Sequence, residues 1–115
     1  MATLYGLTRC DNCRRASRWL RDRGIEHTFV DVREQPPGAG DIARWIGCFG
    51  WRALLNRRGT TWRSLPECER SELNEVRASS LLRQYPLLLK RPILEAGSST
   101  VLGFDGQRYS QAFDT

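Results

Sequence analysis

The residues best suited to chemistry are Cys10 and Cys13, in the run Cys10-Asp11-Asn12-Cys13. Two thiols at this spacing can exchange with a disulfide, one attacking and the other resolving. The attacking species is the thiolate, so the pair matters where something lowers a thiol pKa. A helix N-terminus does so through its unpaired N–H groups and the positive end of its dipole. Arg9 and Arg14 add positive charge beside Cys10. Two blander readings compete: a structural pair on a buried helix face, and a zinc site. Zinc wants four ligands, yet Cys48 and Cys68 make no second close pair and His27 is isolated. Cys10 and Cys13 are therefore read as a catalytic pair, with no metal.

The elements around the pair are those such chemistry needs. Ala2–Gly6 reads as a short strand and Leu7–Arg9 as a loop. A helix is expected from about Asp11 to Arg23, with Cys13, Ala16 and Leu20 recurring on one buried face and Trp19 beside them. Gly24 suits the left-handed residue that closes a helix. His27–Val32 alternates as a second strand, so the opening is a βαβ unit with a right-handed crossover. Past the break at 35–40, Asp41 is expected to cap a short helix that turns Ile42, Trp45, Ile46 and Phe49 inward. Asn56–Thr61 reads as a polar loop, and Leu65–Gln84 as helix-rich with a break at Pro66. Ile93–Ala96 and Thr100–Phe104 form a hairpin around Gly97-Ser98-Ser99, and a last helix runs from about Gly106 to Phe113. This order is that of an α/β, thioredoxin-like fold. A helical insertion, about 40–86, separates the βαβ unit from the C-terminal β-hairpin. Residues 1–115 are read as one domain, the usual allotment for this length.

In such a fold Pro92 is expected to be cis and to face the Cys loop, with Arg91 turned toward an anionic site; the blander reading is a strand-leading proline with a surface arginine. Arg57-Arg58 is either a solvated pair or a clamp for an oxyanion or carboxylate. Of the 18 basic side chains all but Lys90 are arginine, and the formal net charge is +5. That bias points to an acidic or anionic partner. No groove-reading motif is present, so direct nucleic-acid binding is not expected. Apolar residues make up 40% of the chain, which is enough for a core without staples. The start of the chain reads as no export signal, and no apolar run reaches membrane length. A reducing, cytoplasmic setting is expected, with the four cysteines unpaired structurally. Cys48, beside Ile46 and Phe49, reads as a small buried residue; Cys68, between Glu67 and Glu69, reads as exposed. Trp45 and Trp51 could serve a partner surface, although most of the tryptophans are expected in or near the core. A monomer is the default for this size.

Several runs together resemble the ArsC/Spx (arsenate reductase-like) family. They are Thr3–Gly6 leading to Cys10, Cys13–Ala16 with Trp19-Leu20, Trp51–Trp62, Leu88–Leu94 and Val101–Phe104. The likeness spans nearly the whole chain and is greatest to the small YffB branch, which shares Leu54–Trp62. It implies a glutathione-dependent thiol reductase with Cys10 as nucleophile. Arg91 would be the arginine before proline, and Arg57 or Arg58 the mid-chain arginine. It implies glutathione as co-substrate rather than a bound cofactor, glutathione or a glutaredoxin-type protein as reductant, and a protein disulfide or an oxyanion as substrate. The alternative it implies is an Spx-like, redox-switched transcription regulator that binds RNA polymerase. Two departures stand out. Gly103-Phe104 occupies the place where arsenate reductases carry a third arginine, and Cys13 makes the loop resemble the Spx switch.

Overall fold

The computed structural model describes residues Ala2–Phe113. The backbone divides into two compact units, Met1–Gln35 with Arg91–Thr115, and Pro36–Lys90.

The first unit carries the sheet, in the order β2-β1-β3-β4. Strand β1 (Ala2–Gly6) pairs in parallel with β2 (His27–Asp31), and antiparallel with β3 (Ile93–Ala96). Strand β3 pairs antiparallel with β4 (Ser99–Leu102). The parallel pair is bridged by α1 (Asp11–Asp22), the crossover that a parallel connection requires. Ala2 and Leu4 lie opposite Ala96 and Leu94, and they bury one sheet face against Ala16 and Leu20 of α1. Tyr109, on α7 (Gly106–Phe113), completes this core. It stacks edge-on against Trp19 at 5.6 Å and Phe104 at 5.2 Å, and its hydroxyl donates to the Gly103 carbonyl at 3.3 Å. Helix α1 ends as the sequence suggests: Gly24 has φ +68°, and the Ile25 amide reaches back to the Leu20 carbonyl at 2.9 Å. The hairpin turn is tighter than expected, since β4 already starts at Ser99 and pairs it with Ala96.

The second unit is helical: α2 (Ala39–Phe49), α3 (Trp51–Leu54), α4 (Thr60–Ser64), α5 (Glu67–Arg70), α6 (Glu75–Gln84) and a 3-10 turn, Pro86–Leu88. Ile42, Trp45, Leu54, Leu82 and Leu88 are all fully buried. Three expectations are corrected here. Helix α2 begins before Asp41, whose carboxylate therefore caps from inside the first turn by accepting the Gly38 amide at 3.1 Å. Cys48 is exposed, because it lies off the Ile42–Trp45 stripe of α2. Trp45 is 0% exposed, turned inward as the helix periodicity predicts, so it offers no partner surface. The expected loop at 56–61 also yields to α4 from Thr60.

No described helix is long and apolar enough to cross a membrane.

Candidate functional site

Cys10 sits between β1 and α1 as the residue that opens the helix, with extended backbone (φ −82°, ψ 127°). Its carbonyl accepts the Arg14 amide at 2.9 Å, and its own amide donates to the Leu7 carbonyl at 3.2 Å. The residue is half-buried, so the sulfur is held by the fold yet can be reached. Burial by itself would raise the thiol pKa. The amides of Cys13 and Asn12, the Cys13 thiol and the Arg91 guanidinium all favour the thiolate, and they win: Cys10 lies below the ordinary thiol value. Arg91 belongs to the same unit, two residues before β3, and its bond to Pro92 is cis as expected.

Cys13 is the opposite case. It is buried on the first turn of α1, 1% exposed, and accepts the Leu7 amide at 3.4 Å. Burial pushes its pKa up to about 12, and the neighbouring Cys10 sulfur adds to the rise. The two sulfurs therefore differ in kind: Cys10 is shifted toward the thiolate, and Cys13 keeps its proton at neutral pH. This polarity lets a thiol pair attack in one direction. Gly6 makes it possible sterically, because a Cβ there would run into Cys13 Sγ.

One positioning residue was not anticipated. Asp31, at the end of β2, accepts from the Thr8 hydroxyl at 2.8 Å and the Thr8 amide at 3.3 Å. Its other oxygen accepts the amides of Arg33 (2.8 Å) and Glu34 (3.4 Å). The loop that delivers Cys10 is thereby tied to the neighbouring strand, and Arg14 Nε ties it again by donating to the Thr8 carbonyl at 3.2 Å. A Thr-to-Asp contact across 23 residues leaves no periodic trace in sequence. Slight burial works to raise the Asp31 pKa, but the bonds from Thr8, Arg33 and Glu34 outweigh it and hold the carboxyl below its usual range. A carboxyl depressed on folding adds stability above its unfolded pKa, and that stability is lost as pH falls through the folded value. Asp31→Asn is therefore expected to lower stability at neutral pH, where the carboxylate contributes, and to flatten the acid limb of the stability curve. Thermal melts from neutral to acid pH check this; an unchanged acid limb would count against the Asp31 tie.

Arg91→Gln is expected to raise the pH midpoint of Cys10 alkylation, since it removes the guanidinium that favours the thiolate, and Arg91→Lys should restore part of the shift. A midpoint that stays put in both variants would remove Arg91 from the site.

Arg57 and Arg58 belong to the second unit. With Arg52, Leu55, Asn56 and Lys90 they line a cavity of about 420 Å³. Cys68 is exposed, and all four cysteines are free thiols. Among the described residues no three His, Cys, Asp or Glu side chains converge as a metal site would need.

The structure is similar to that of a protein described as YffB, with a TM-score of 0.93 at 35% identity, covering 97% of this chain and 98% of that one. An uncharacterised protein of Haemophilus influenzae is 37% identical, over 98% of this chain and 99% of its own length. An arsenate reductase of Rhizobium meliloti is 28% identical over 87% of this chain and 72% of its own. The global transcriptional regulator Spx 2 of Bacillus anthracis is 26% identical over 93% and 82%. The ArsC family model matches residues 5–112. From the first strand to the last helix, this chain belongs to the ArsC family.

Proposed function

We propose that the chain is a glutathione-dependent thiol reductase acting through the Cys10 thiolate. The observation that carries this reading is the split between the two sulfurs, with Cys10 lowered and Cys13 raised to about 12. In the first step the Cys10 thiolate attacks one sulfur of a substrate disulfide. The S–S bond breaks, the leaving thiolate takes a proton, and a mixed disulfide remains on Cys10. A glutathione thiolate then attacks that mixed disulfide and frees the second substrate thiol, leaving glutathione on Cys10. A second glutathione attacks the glutathione sulfur and restores the Cys10 thiolate. The sum is one disulfide reduced and two glutathiones oxidised to their disulfide.

Arg91 is assigned the anionic part of the incoming molecule, where a guanidinium pairs a carboxylate through two parallel hydrogen bonds. Pro92 presents its neighbouring backbone to the substrate chain, and Arg57 and Arg58 are assigned anion binding in their own unit. The high pKa of Cys13 disfavours it as the resolving thiol, because its thiolate fraction at neutral pH is very small; glutathione is better suited. Such chemistry belongs in a reducing cytoplasm, where glutathione is supplied. Likeness to arsenate reductases supports an oxyanion as an alternative electrophile, but Phe104 offers no guanidinium for it.

The test is turnover of a mixed disulfide between glutathione and a small reporter thiol, with and without Cys13. Cys13→Ser should keep most of the activity, and its loss would move the resolving step to Cys13.

A second reading has its own support. Cys10 and Cys13 interact directly, and Spx 2 is among the relatives. An oxidation-driven Cys10–Cys13 disulfide would then switch a surface that binds RNA polymerase. Retention of the polymerase by oxidised protein alone, and not by reduced protein, would favour it.

A further inference from the structure

Helix α6 turns one side to the core and leaves the other without a partner. Ala78, Leu81 and Leu82 are buried. Val76, Ser80 and Arg83 recur four and three residues apart on the opposite side, with Ser79 and Glu75 flanking them. Val76 is 77% exposed, the one large apolar side chain among the described residues that stands out in solvent. Helix α2 brings Ala43, Ile46 and Gly47 to the same groove, a cavity of about 510 Å³ within the second unit. A Cβ on Gly47 would meet nothing within 4 Å, so the space above it is open. A single exposed valine is ordinary on a protein surface. A valine beside an open groove of small residues is a knob next to a hole, and small residues let a further helix come close.

The charges on this face are placed so that one chain cannot use them. Glu75 stands in the first turn of α6 and Arg83 in the last. Eight residues separate them, about 12 Å along the axis, too far to pair within the helix. Among the described residues neither has an ion pair. Ser79 lies midway between them. A two-fold axis passing Ser79 lays α6 of a second copy antiparallel on the first. Glu75 of each copy then faces Arg83 of the other, and the same pair forms twice. An isologous contact demands this property, because one patch must carry both halves of every pair. With a formal net charge of +5, two copies of the chain repel one another on average. This face, with one charge of each sign, does not.

We infer that the groove between α2 and α6 is a dimer interface, and that its occupant is α6 of a second copy of this chain. Val76 of each copy enters the groove of the other, over Ala43, Gly47 and Ser80, and the two Glu75–Arg83 pairs close its ends. Exposed ion pairs add little affinity, but they fix orientation. The face offers eight residues, below the roughly 20–30 a side of a standard interface. A dissociation constant on the order of 10–100 μM is therefore expected, and the protein is monomeric when dilute. The contact uses none of the four cysteines and is independent of the thiol chemistry assigned to Cys10.

The test is sedimentation equilibrium of the full chain at low ionic strength, from well below to well above that concentration range. Reductant is present so that no disulfide joins copies. Wild-type protein should pass from monomer to dimer and stop there, because a two-fold contact closes on itself. Glu75→Arg sets arginine against arginine at both ends, and Arg83→Glu sets glutamate against glutamate. Each alone should weaken the dimer about tenfold or more. Mixed in equal amounts, the two variants should recover a heterodimer, since two arginines of one copy then face two glutamates of the other. That recovery separates the antiparallel contact from any effect of the substitutions on folding. Val76→Asp, at a position already in solvent, should weaken the dimer by a similar factor, and circular dichroism checks that each variant is folded. Cys10→Ser should dimerise like the wild type, so failure of the reductase reading and failure of this one are told apart. Wild-type protein that stays monomeric throughout leaves the groove to a foreign helix and overturns the proposal. A dimer indifferent to the charge reversals or to Val76→Asp, or a mixture that associates no better than its components, overturns it equally.

Discussion

Replacing Cys10 by Ser is expected to cut thiol–disulfide turnover on the order of 10⁴-fold or more, down to the rate glutathione achieves alone. A serine hydroxyl in the same place has no accessible anion at neutral pH. The first-turn amides and Arg91, which favour the thiolate, then have nothing to act on. Structure should survive, because Cys10 is only half-buried and holds its turn through backbone bonds. Cys13→Ser is the contrasting case. Its thiol supports the Cys10 anion, a bond that the serine hydroxyl can also donate, so the Cys10 alkylation midpoint should change little, while glutathione still completes the cycle. Steady-state turnover of both variants decides the matter, and wild-type turnover by Cys10→Ser would sink the mechanism.

The second large effect is structural. Gly6→Ala is expected to destabilise the protein by about 1–3 kcal/mol, as overpacking does in a dense core. Gly6 is buried at the end of β1, paired with Asp31, and its carbonyl accepts the Val32 amide at 2.9 Å. The strand therefore cannot move away easily. A new Cβ would meet Cys13 Sγ head-on and would stand 3.2 Å from Cys13 Cβ and 3.7 Å from Phe29. Either α1 shifts, or Cys13 leaves its place behind Cys10. Activity and stability should fall together. Combining Gly6→Ala with Cys13→Ala removes the sulfur that is struck, so the double variant should recover about 1 kcal/mol relative to the sum of the singles. Additive losses in denaturant melts would show that the sulfur is not what Gly6 accommodates.

Much of the first unit can be read locally. Strand alternation, the Cys13–Ala16–Leu20 stripe and Gly24 each act over a few residues, and together they place Cys10 at a helix start. Cys48 shows what happens when neighbours are read in place of phase. Ile46 and Phe49 make it look buried, yet at 100° per residue it stands roughly 120° from Ile42, at the centre of the stripe, and it is exposed. Asp31 and Gly6 are different. Their partners, Thr8 and Cys13, are set by the pairing of β1 with β2 and the packing of α1, and pairing register is not visible along one strand. The basic cavity is an intermediate case. Arg57-Arg58 stand out as a pair, but Arg52 and Lys90 join them only through the Leu55–Leu89 bridge between distant segments.

The most direct test of the central claim is the rate of Cys10 alkylation as a function of pH, with the modified cysteine identified by mass and repeated after incubation with oxidised glutathione. Expected is a midpoint below the ordinary thiol value at Cys10, no reaction of Cys13 until strongly alkaline pH, and a single glutathione adduct on Cys10 that reduced glutathione removes. A Cys10 midpoint at or above that of a free thiol, with no adduct, would contradict the assignment of Cys10 as the nucleophile.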